Sequence, residues 1–350
     1  MDVIDAEIIE SMYGDGFRYA QYGEYERRLK GYSVFKIPLN TGFTCPNWDG
    51  RLSGDGCTYC PSRARQFTYP SFREVIDKDF PSQISHQINH YKKMGAGEKA
   101  LVYIAFNTNT YAPIDVLEGL FNEVVGHEDV IGFTVGTRPD CLPMEVLDLI
   151  ESYAKDYDVW IELGQQSMHY HTLREVNRQH GVAEFIKAVD ECHKRRLKVL
   201  SFVILGLPYE SPGEMMETAR ILSALNVDAI KLYPLVVMKG TRMAQDFIEG
   251  RYKPLGFMEY VNLLVDFLEH LDPNVLIQRL SKDCGLEIKL APEWNTYRNI
   301  VTPVVLKILE LRDTRQGALH KLSLSVDELK PLVEGEVPEF YDELRGQRSV

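Results

Sequence analysis

Six cysteines in 350 residues are too few to staple a chain of this size, so a disulfide-built secreted scaffold is excluded. No apolar stretch is long enough to cross a bilayer. The longest near-continuous one runs from Val199 to Pro208, and acids stand at the N-terminus where a secretion signal would be apolar. Basic residues are in deficit, 39 against 51 acidic for a net charge of −12, which disfavours a general nucleic-acid-binding surface but leaves room for a local basic patch. No G-x-G-x-x-G follows a strand and no phosphate loop of G-x-x-x-x-G-K-[ST] type occurs, so a dinucleotide fold is not expected. Internal repeats and low-complexity tracts are missing too. With 45% hydrophobic and 26% charged residues, what remains is a folded, cytoplasmic chain with one large core or two smaller ones.

The residues that are present alternate short β-branched runs with longer amphipathic stretches, the pattern of repeated βα units around a parallel sheet. Six strands are expected: Ser33 to Leu39, Leu101 to Phe106, Ile131 to Val135, Asp158 to Leu163, Lys198 to Leu205 and Asp228 to Tyr233. Helical spacing marks Ser82 to Met94, Ile114 to Val125, Met144 to Tyr153, Val182 to Arg195 and Pro212 to Leu225 between them. Six units are too few to close an eight-stranded barrel, so an open, partial barrel is expected, with its ligands at the C-terminal ends of the strands. Residues 1–32, rich in Tyr and Arg, read as an N-terminal arm or lid and not as core; residues 33–243 read as the barrel. Residues 244–324 read as a small α+β extension, with helices at Met258 to Leu271 and Thr302 to Arg312 around an apolar run at Val275 to Leu280. An acidic tail, 325–350, ends the chain.

The six cysteines are unevenly placed. Cys45, Cys57 and Cys60 form a C-x11-C-x2-C arrangement on a glycine-rich loop directly after the first strand, while Cys141, Cys192 and Cys284 are scattered and read as structural. The glycines at 50, 54 and 56 let this loop wrap a bulky object. Zinc is one occupant for three thiolates, but it wants four ligands, and the loop has no fourth Cys or His at useful spacing; one can still come from elsewhere. A [4Fe-4S] cluster with its fourth iron left open is the other, and both stay open on spacing alone.

Beyond the spacing, Tyr59 stands just before the last cysteine. Around the motif stand Phe35-Lys36-Ile37, Gly42 to Asn47, Gly136 to Cys141, Glu162 to Ser167, Asn177 to His180, Leu205 to Pro208 and Lys239-Gly240-Thr241. In that order they resemble the radical S-adenosylmethionine (SAM) superfamily, and within it an uncharacterised family related to the catalytic subunit of Elongator and similar to oxygen-independent coproporphyrinogen oxidase. The resemblance runs from about Arg18 to Trp294 and implies a partial (β/α)6 barrel of the radical SAM type. It also implies a [4Fe-4S] cluster on Cys45, Cys57 and Cys60, and reductive cleavage of SAM to a 5′-deoxyadenosyl radical that abstracts hydrogen.

By the same resemblance Asn107, Thr108 and Asn109 hold the SAM amino group, Gln166 its ribose and Arg178 its carboxylate. Taken without the family, Arg178 reads as a helix-surface charge. Tyr59, Ile204, Leu205, Gly206, Tyr233 and Leu235 flank the cofactor, with core packing the alternative for Ile204, Leu205 and Leu235. Two positions depart from the family pattern. Trp48 stands where relatives often carry Arg and offers an aromatic wall instead; Gly136 replaces an Elongator-like glutamate, whose ribose contact Glu162 is the candidate to take over.

An electron donor such as a flavodoxin or ferredoxin is implied as a partner. The substrate is not identified. Phe17 to Arg65 holds eight basic and four acidic residues, a local positive surplus that suits an anionic substrate or RNA, and its tyrosines suit either base stacking or packing, with packing favoured for most. His169, His171, His180, His193 and Lys231 are candidate acid/base groups, with Lys239, after the sixth strand, the best placed. Two alternatives stand beside the leading reading: a transfer-RNA-modifying radical SAM enzyme similar to the Elongator catalytic subunit, and, from another class, a zinc-stabilised binding module.

Overall fold

Each of the six expected strands forms close to its expected place, and a seventh joins them. In the computed structural model, which describes residues 4–61, 79–282, 284–285 and 287–322, the strands are β1 (Val34–Asn40), β2 (Lys99–Ala105), β3 (Val130–Thr137), β4 (Asp158–Gln166), β5 (Lys198–Leu205), β6 (Ala229–Pro234) and β8 (Leu276–Arg279). They make one parallel sheet in the order β1-β2-β3-β4-β5-β6-β8. Strong curvature follows from one contact set. Lys36 on β1 and Lys231 on β6, five strands apart, both reach the carboxylate of Glu162 on β4, at 2.8 and 2.5 Å. A flat sheet would hold those strands more than 20 Å apart, by the roughly 4.8 Å interstrand spacing. The sheet is therefore a half-barrel with a true interior.

Alternation along the strands sorts the two faces. Ile37, Val102, Ile104, Phe133, Val135, Ile161 and Val199 point outward and are buried under the helices Phe80–Lys93, Ile114–Val125, Met144–Ala154, Val182–Lys194 and Pro212–Ala224. Ser211 caps the last of these, its side chain accepting from Glu214 N, with Pro212 in the first turn where its missing N–H costs nothing. The helix expected from Ser82 starts earlier, because Asp79 caps it instead.

Two expectations are corrected. The N-terminal arm is core, not lid: the helices Ala6–Gly14 and Tyr22–Lys30, with Ala20 in the link between them, bury Ile9, Met12, Ala20, Tyr22 and Tyr25 against the inward residues Leu101, Trp160, Leu200, Ala229 and Leu276. Polar composition hid this, since tyrosine buries a large ring while counting as polar, and Tyr22 meets Trp160 edge-on at 5.2 Å. The second of these helices touches both edge strands, β1 and β8, so the arm plugs the bottom of the half-barrel across its open side. Nor does the boundary expected at residue 243 divide the sheet, because β8 lies beyond it and pairs with β6. The helices Phe257–His270 and Arg298–Leu311 join the outer layer. A separate two-stranded ladder pairs β7 (Val237–Met238) with β9 (Lys289–Ala291). The acidic tail lies outside the described residues, among which no helix is long and apolar enough to cross a membrane.

Candidate functional site

The cysteine loop leaves β1 and is shaped by its own backbone. Cys45 O accepts from Trp48 N at 2.8 Å, Asn47 O from Gly56 N at 2.8 Å and Cys57 O from Cys60 N at 3.0 Å. Outside groups clamp it: Thr58 N donates to Val176 O, and the Asn177 side chain donates to Gly56 O at 2.6 Å. Gly56 sits at φ +67°, and a Cβ there would lie 2.2 Å from the Trp48 indole, so the loop closes only with glycine at this point.

Cys45, Cys57 and Cys60, all free, line one cavity of about 230 Å³ above the C-terminal ends of β2, β3 and β4. Trp48 and Tyr59 come to it from the loop, Tyr103, Phe106, Asn107 and Thr108 from β2 and its end, Gly136 to Arg138 from β3, Gly164 and Gln166 from β4. Arg178 and Phe202 complete it. The backbone around it is strained. Phe106, Asn107 and Gln166 have φ of 70°, 53° and 76°, and Asn177 and Gln179, which flank Arg178, are also left-handed. Non-glycine residues in this region cluster where geometry is held for function.

The Cys57 sulfur accepts two N–H groups, from Asn47 Nδ2 at 3.4 Å and Arg178 Nη1 at 3.5 Å. Arg178 is buried and donates also to Gly164 O. Burial would depress its pKa, but the Tyr59 phenol and the Cys57 thiol beside it outweigh that and keep it charged. Burial, then the neighbouring Cys57, push the Cys60 thiol up to about 11. Arg138, wholly buried, grips Asp140 through two 2.9 Å bonds and donates to Arg178 O at 3.0 Å, so it fixes the backbone that carries Arg178.

The donor set bears on the occupant. Among the described residues no fourth Cys and no His, Asp or Glu lines the cavity, and no three such side chains converge closely enough to hold one metal ion. A cube-shaped iron–sulfur cluster takes each thiolate on a different iron, so it needs sulfurs spread wider than a single zinc does. The three thiols fit the cluster better than zinc. The buried hydroxyl of Thr108 has no hydrogen-bond partner, which leaves a polar atom facing the cavity.

Of the residues expected at the cofactor, Tyr59, Asn107, Thr108, Gln166 and Arg178 are brought together with the thiols. Others are not. The Asn109 amide is spent on Ile104 O, Phe106 O and Gly136 O, tying strand ends together. Both Glu162 oxygens are taken by lysines inside the barrel, so no carboxylate is left for a ribose. Leu205 points outward into the helix layer. Ile204 and Leu235 pack with Val176, Val237 and Met243, and Leu255 lies where a Cβ on Gly206 would stand, so Gly206 serves packing. Tyr233 faces the interior beside Phe202, at 5.9 Å between ring centres. Lys239 is exposed on the ladder, its amine donating to Glu287 O at 2.7 Å, far from any acid/base role in the cavity. His180 is pushed down to about 3 by burial and by Arg178 and Arg138, which leaves it neutral. The motif-based reading gave no role to Asn47 or Arg138, although both stand in the quoted segments; only contact shows their task.

The loop after β4 is held to the loop after β5 by Ser167 Oγ, which donates to Glu210 Oε1 at 2.7 Å. Burial, and then Glu214, raise the Glu210 carboxyl from 4.5 to about 7, against the opposing pull of Ser167. The folded chain thus keeps a proton that the unfolded chain releases above 4.5, and stability falls as pH rises from there to about 7. Glu210→Gln is expected to raise the melting temperature at pH 8 and leave it unchanged at pH 4; an equal shift at both, by calorimetry, would contradict this.

Comparison with known proteins agrees with the geometry. The model of the family described as "Radical SAM superfamily" matches residues 54–222, and that described as "Radical_SAM C-terminal domain" matches 227–309. An uncharacterised protein of Methanocaldococcus jannaschii is 45% identical over 316 residues, 90% of this chain and 96% of its own length. The protein YtqA of Bacillus subtilis is 34% identical over 86% of this chain and 92% of its own. A tRNA uridine(34) acetyltransferase of Dehalococcoides mccartyi is 30% identical over 46% of this chain and 35% of its own. Among solved structures, Elp3 of Methanocaldococcus infernus shares the fold at a TM-score of 0.64 and 18% identity, over 81% of this chain and 64% of that one.

Proposed function

Because the chain belongs to the radical SAM superfamily and is an enzyme of it, we propose that Cys45, Cys57 and Cys60 hold a [4Fe-4S] cluster and that the adjoining cavity binds SAM for reductive cleavage. The observation that carries this is the trio of free thiols from one loop facing one cavity, with no fourth such ligand among the described residues that line it. When bound, the cluster supplies the electron that splits the sulfonium into methionine and a 5′-deoxyadenosyl radical, which takes hydrogen from a substrate.

This chain's own residues prepare that event. Asn107, held left-handed at the end of β2, and Thr108 beside it offer oxygens to the SAM amino group, while Gln166 offers its amide to the ribose. Arg178 carries a permanent positive charge at the thiols, where it balances thiolate charge and meets the SAM carboxylate. Trp48 and Tyr59 wall the cavity against water. The two N–H groups on the Cys57 sulfur favour the more negative, reduced state. Asn47→Ala is expected to lower the reduction potential of the loaded protein in a spectroscopic redox titration; an unchanged potential would show that this bond is only a loop fastener.

The test of the whole reading is anaerobic reconstitution with iron, sulfide, SAM and a reductant. A brown protein with about four irons that forms 5′-deoxyadenosine supports it. A colourless protein with one zinc and no nucleoside product returns the chain to the binding-module class. An RNA substrate has weaker support. Of the basic residues that would carry it, Lys30 is paired inward with Glu26 and Asp158, and Lys36 on β1 with Glu162, while Arg27 and Arg28 are paired with Glu24 along the arm's own helix. Salt-sensitive RNA binding at micromolar protein would restore that reading.

A further inference from the structure

Beneath the thiol cavity the inner face of the half-barrel carries charged and hydroxyl side chains as well as rings. Between the arm's plug and the cavity, the inward positions are Lys36 on β1, Tyr103 on β2, Thr134 on β3, Glu162 on β4, Phe202 on β5, and Lys231 and Tyr233 on β6. We propose that this inner chamber is the substrate pocket, and that the substrate presents an anionic group, a carboxylate or a phosphate, to Lys36 and Lys231. The proposal deepens the radical SAM reading and rests on it for the word substrate.

Charge is the first argument. Two ammonium groups share one carboxylate, Lys36 at 2.8 Å from Glu162 Oε1 and Lys231 at 2.5 Å from Oε2. The next acids down, Glu26 and Asp158, are already matched by Lys30 and Lys198, at 2.5 to 2.8 Å. Among the described residues, the chamber therefore holds one more lysine amine than carboxylates. A structural ion pair needs only one lysine, and burying a second without a counter-charge is unfavourable. Arg279, register partner of Lys231 on β8, adds to the positive field. An incoming anion removes the imbalance.

Position is the second argument. The Lys231 ammonium lies 4.5 Å from the centre of the Tyr103 ring and 4.6 Å from that of Phe202, and those two rings also line the thiol cavity. Lys231 and the thiol cavity therefore share a wall. Lys36, with 22% of its side chain exposed, is the reachable member. The Thr134 hydroxyl, buried beside Tyr103 on the same inner face, has no partner, and so it is a donor that waits for an acceptor. The rings of Tyr103, Phe202 and Tyr233 favour a flat body behind the anionic group. Lys231 itself is pressed toward its neutral form by burial, against the pull of Glu162, and by Lys36 and Arg279; a bound anion works in the opposite sense and takes up a proton.

Benzoate, phenyl phosphate and, as a cationic control, benzylamine are titrated calorimetrically into the cluster-loaded full chain without SAM. Saturable binding of benzoate or phenyl phosphate is expected, the better of the two naming the substrate's group, with no binding of benzylamine. Loss of a charged hydrogen bond should make Lys36→Gln bind about tenfold or more weakly. Glu162→Gln removes the competing carboxylate and should bind more tightly, a change of opposite sign that a damaged fold cannot mimic. The proposal is overturned if neither anion saturates, or if both variants bind as the wild type does. Formation of 5′-deoxyadenosine alongside absent anion binding would sink this inference alone; anion binding without that nucleoside would sink the cleavage reading instead.

Discussion

Cys57→Ala is expected to give a folded, colourless chain that forms no 5′-deoxyadenosine, with iron falling from about four per chain to near none. Of the three thiols, Cys57 is the one tied to the protein by two N–H donors, Asn47 and Arg178, so in the proposed reading it would set where the other two sulfurs meet a cluster. The fold should survive, because the loop is fastened through backbone groups on either side: Gly56 to Asn47 and to the Asn177 amide, Thr58 to Val176, and Met243 to Thr58. Cys284→Ala is the control, since that thiol is buried with Val236 and Met238 away from the cavity. Iron analysis, the visible spectrum and product chromatography check the result. Full iron with undiminished product in Cys57→Ala would mean that another residue is the ligand.

Gly56→Ala should be nearly as damaging although it touches no ligand atom. A left-handed alanine costs about 1–2 kcal/mol relative to glycine at φ +67°. Its methyl would also stand 2.2 Å from the Trp48 ring, so either the indole leaves the cavity wall or the loop opens. A melting temperature lower by about 5 °C or more, at roughly 2–4 °C per kcal/mol for a chain of this size, should accompany failure to load the cluster. Gly54→Ala two residues earlier has nothing within 4 Å and serves as the neutral comparison. Thermal melts and iron content decide the matter: if Gly56→Ala matched Gly54→Ala in both, Trp48 would not be part of the wall.

Where sequence reasoning succeeded, the signal was local. The three cysteines on a glycine-rich loop, the strand periods and the helix spacings involve residues near one another in the chain, and the helix Ile114–Val125 forms over the expected residues. Where it failed, the deciding partner was remote. Asn109 looked like a cofactor ligand because it follows a strand; its amide goes instead to carbonyls of β2 and β3. Glu162 looked available for a ribose until Lys36 and Lys231, 126 and 69 residues away, claimed both oxygens. The arm looked like a lid because tyrosine and arginine dominate it, and its pairing with β8 at Gln21 and Ile277 spans most of the chain.

The sequence by itself determined the fold class and the grouping of three cysteines on one loop, because backbone periodicity and a short, glycine-rich spacing are properties of adjacent residues. Tertiary structure alone decided which polar groups are spent on the protein and which are left facing a cavity. Burial and pairing are set by side chains that meet only when the sheet curls, which is why the cluster of two lysines on one carboxylate beneath the thiols has no signature along the chain.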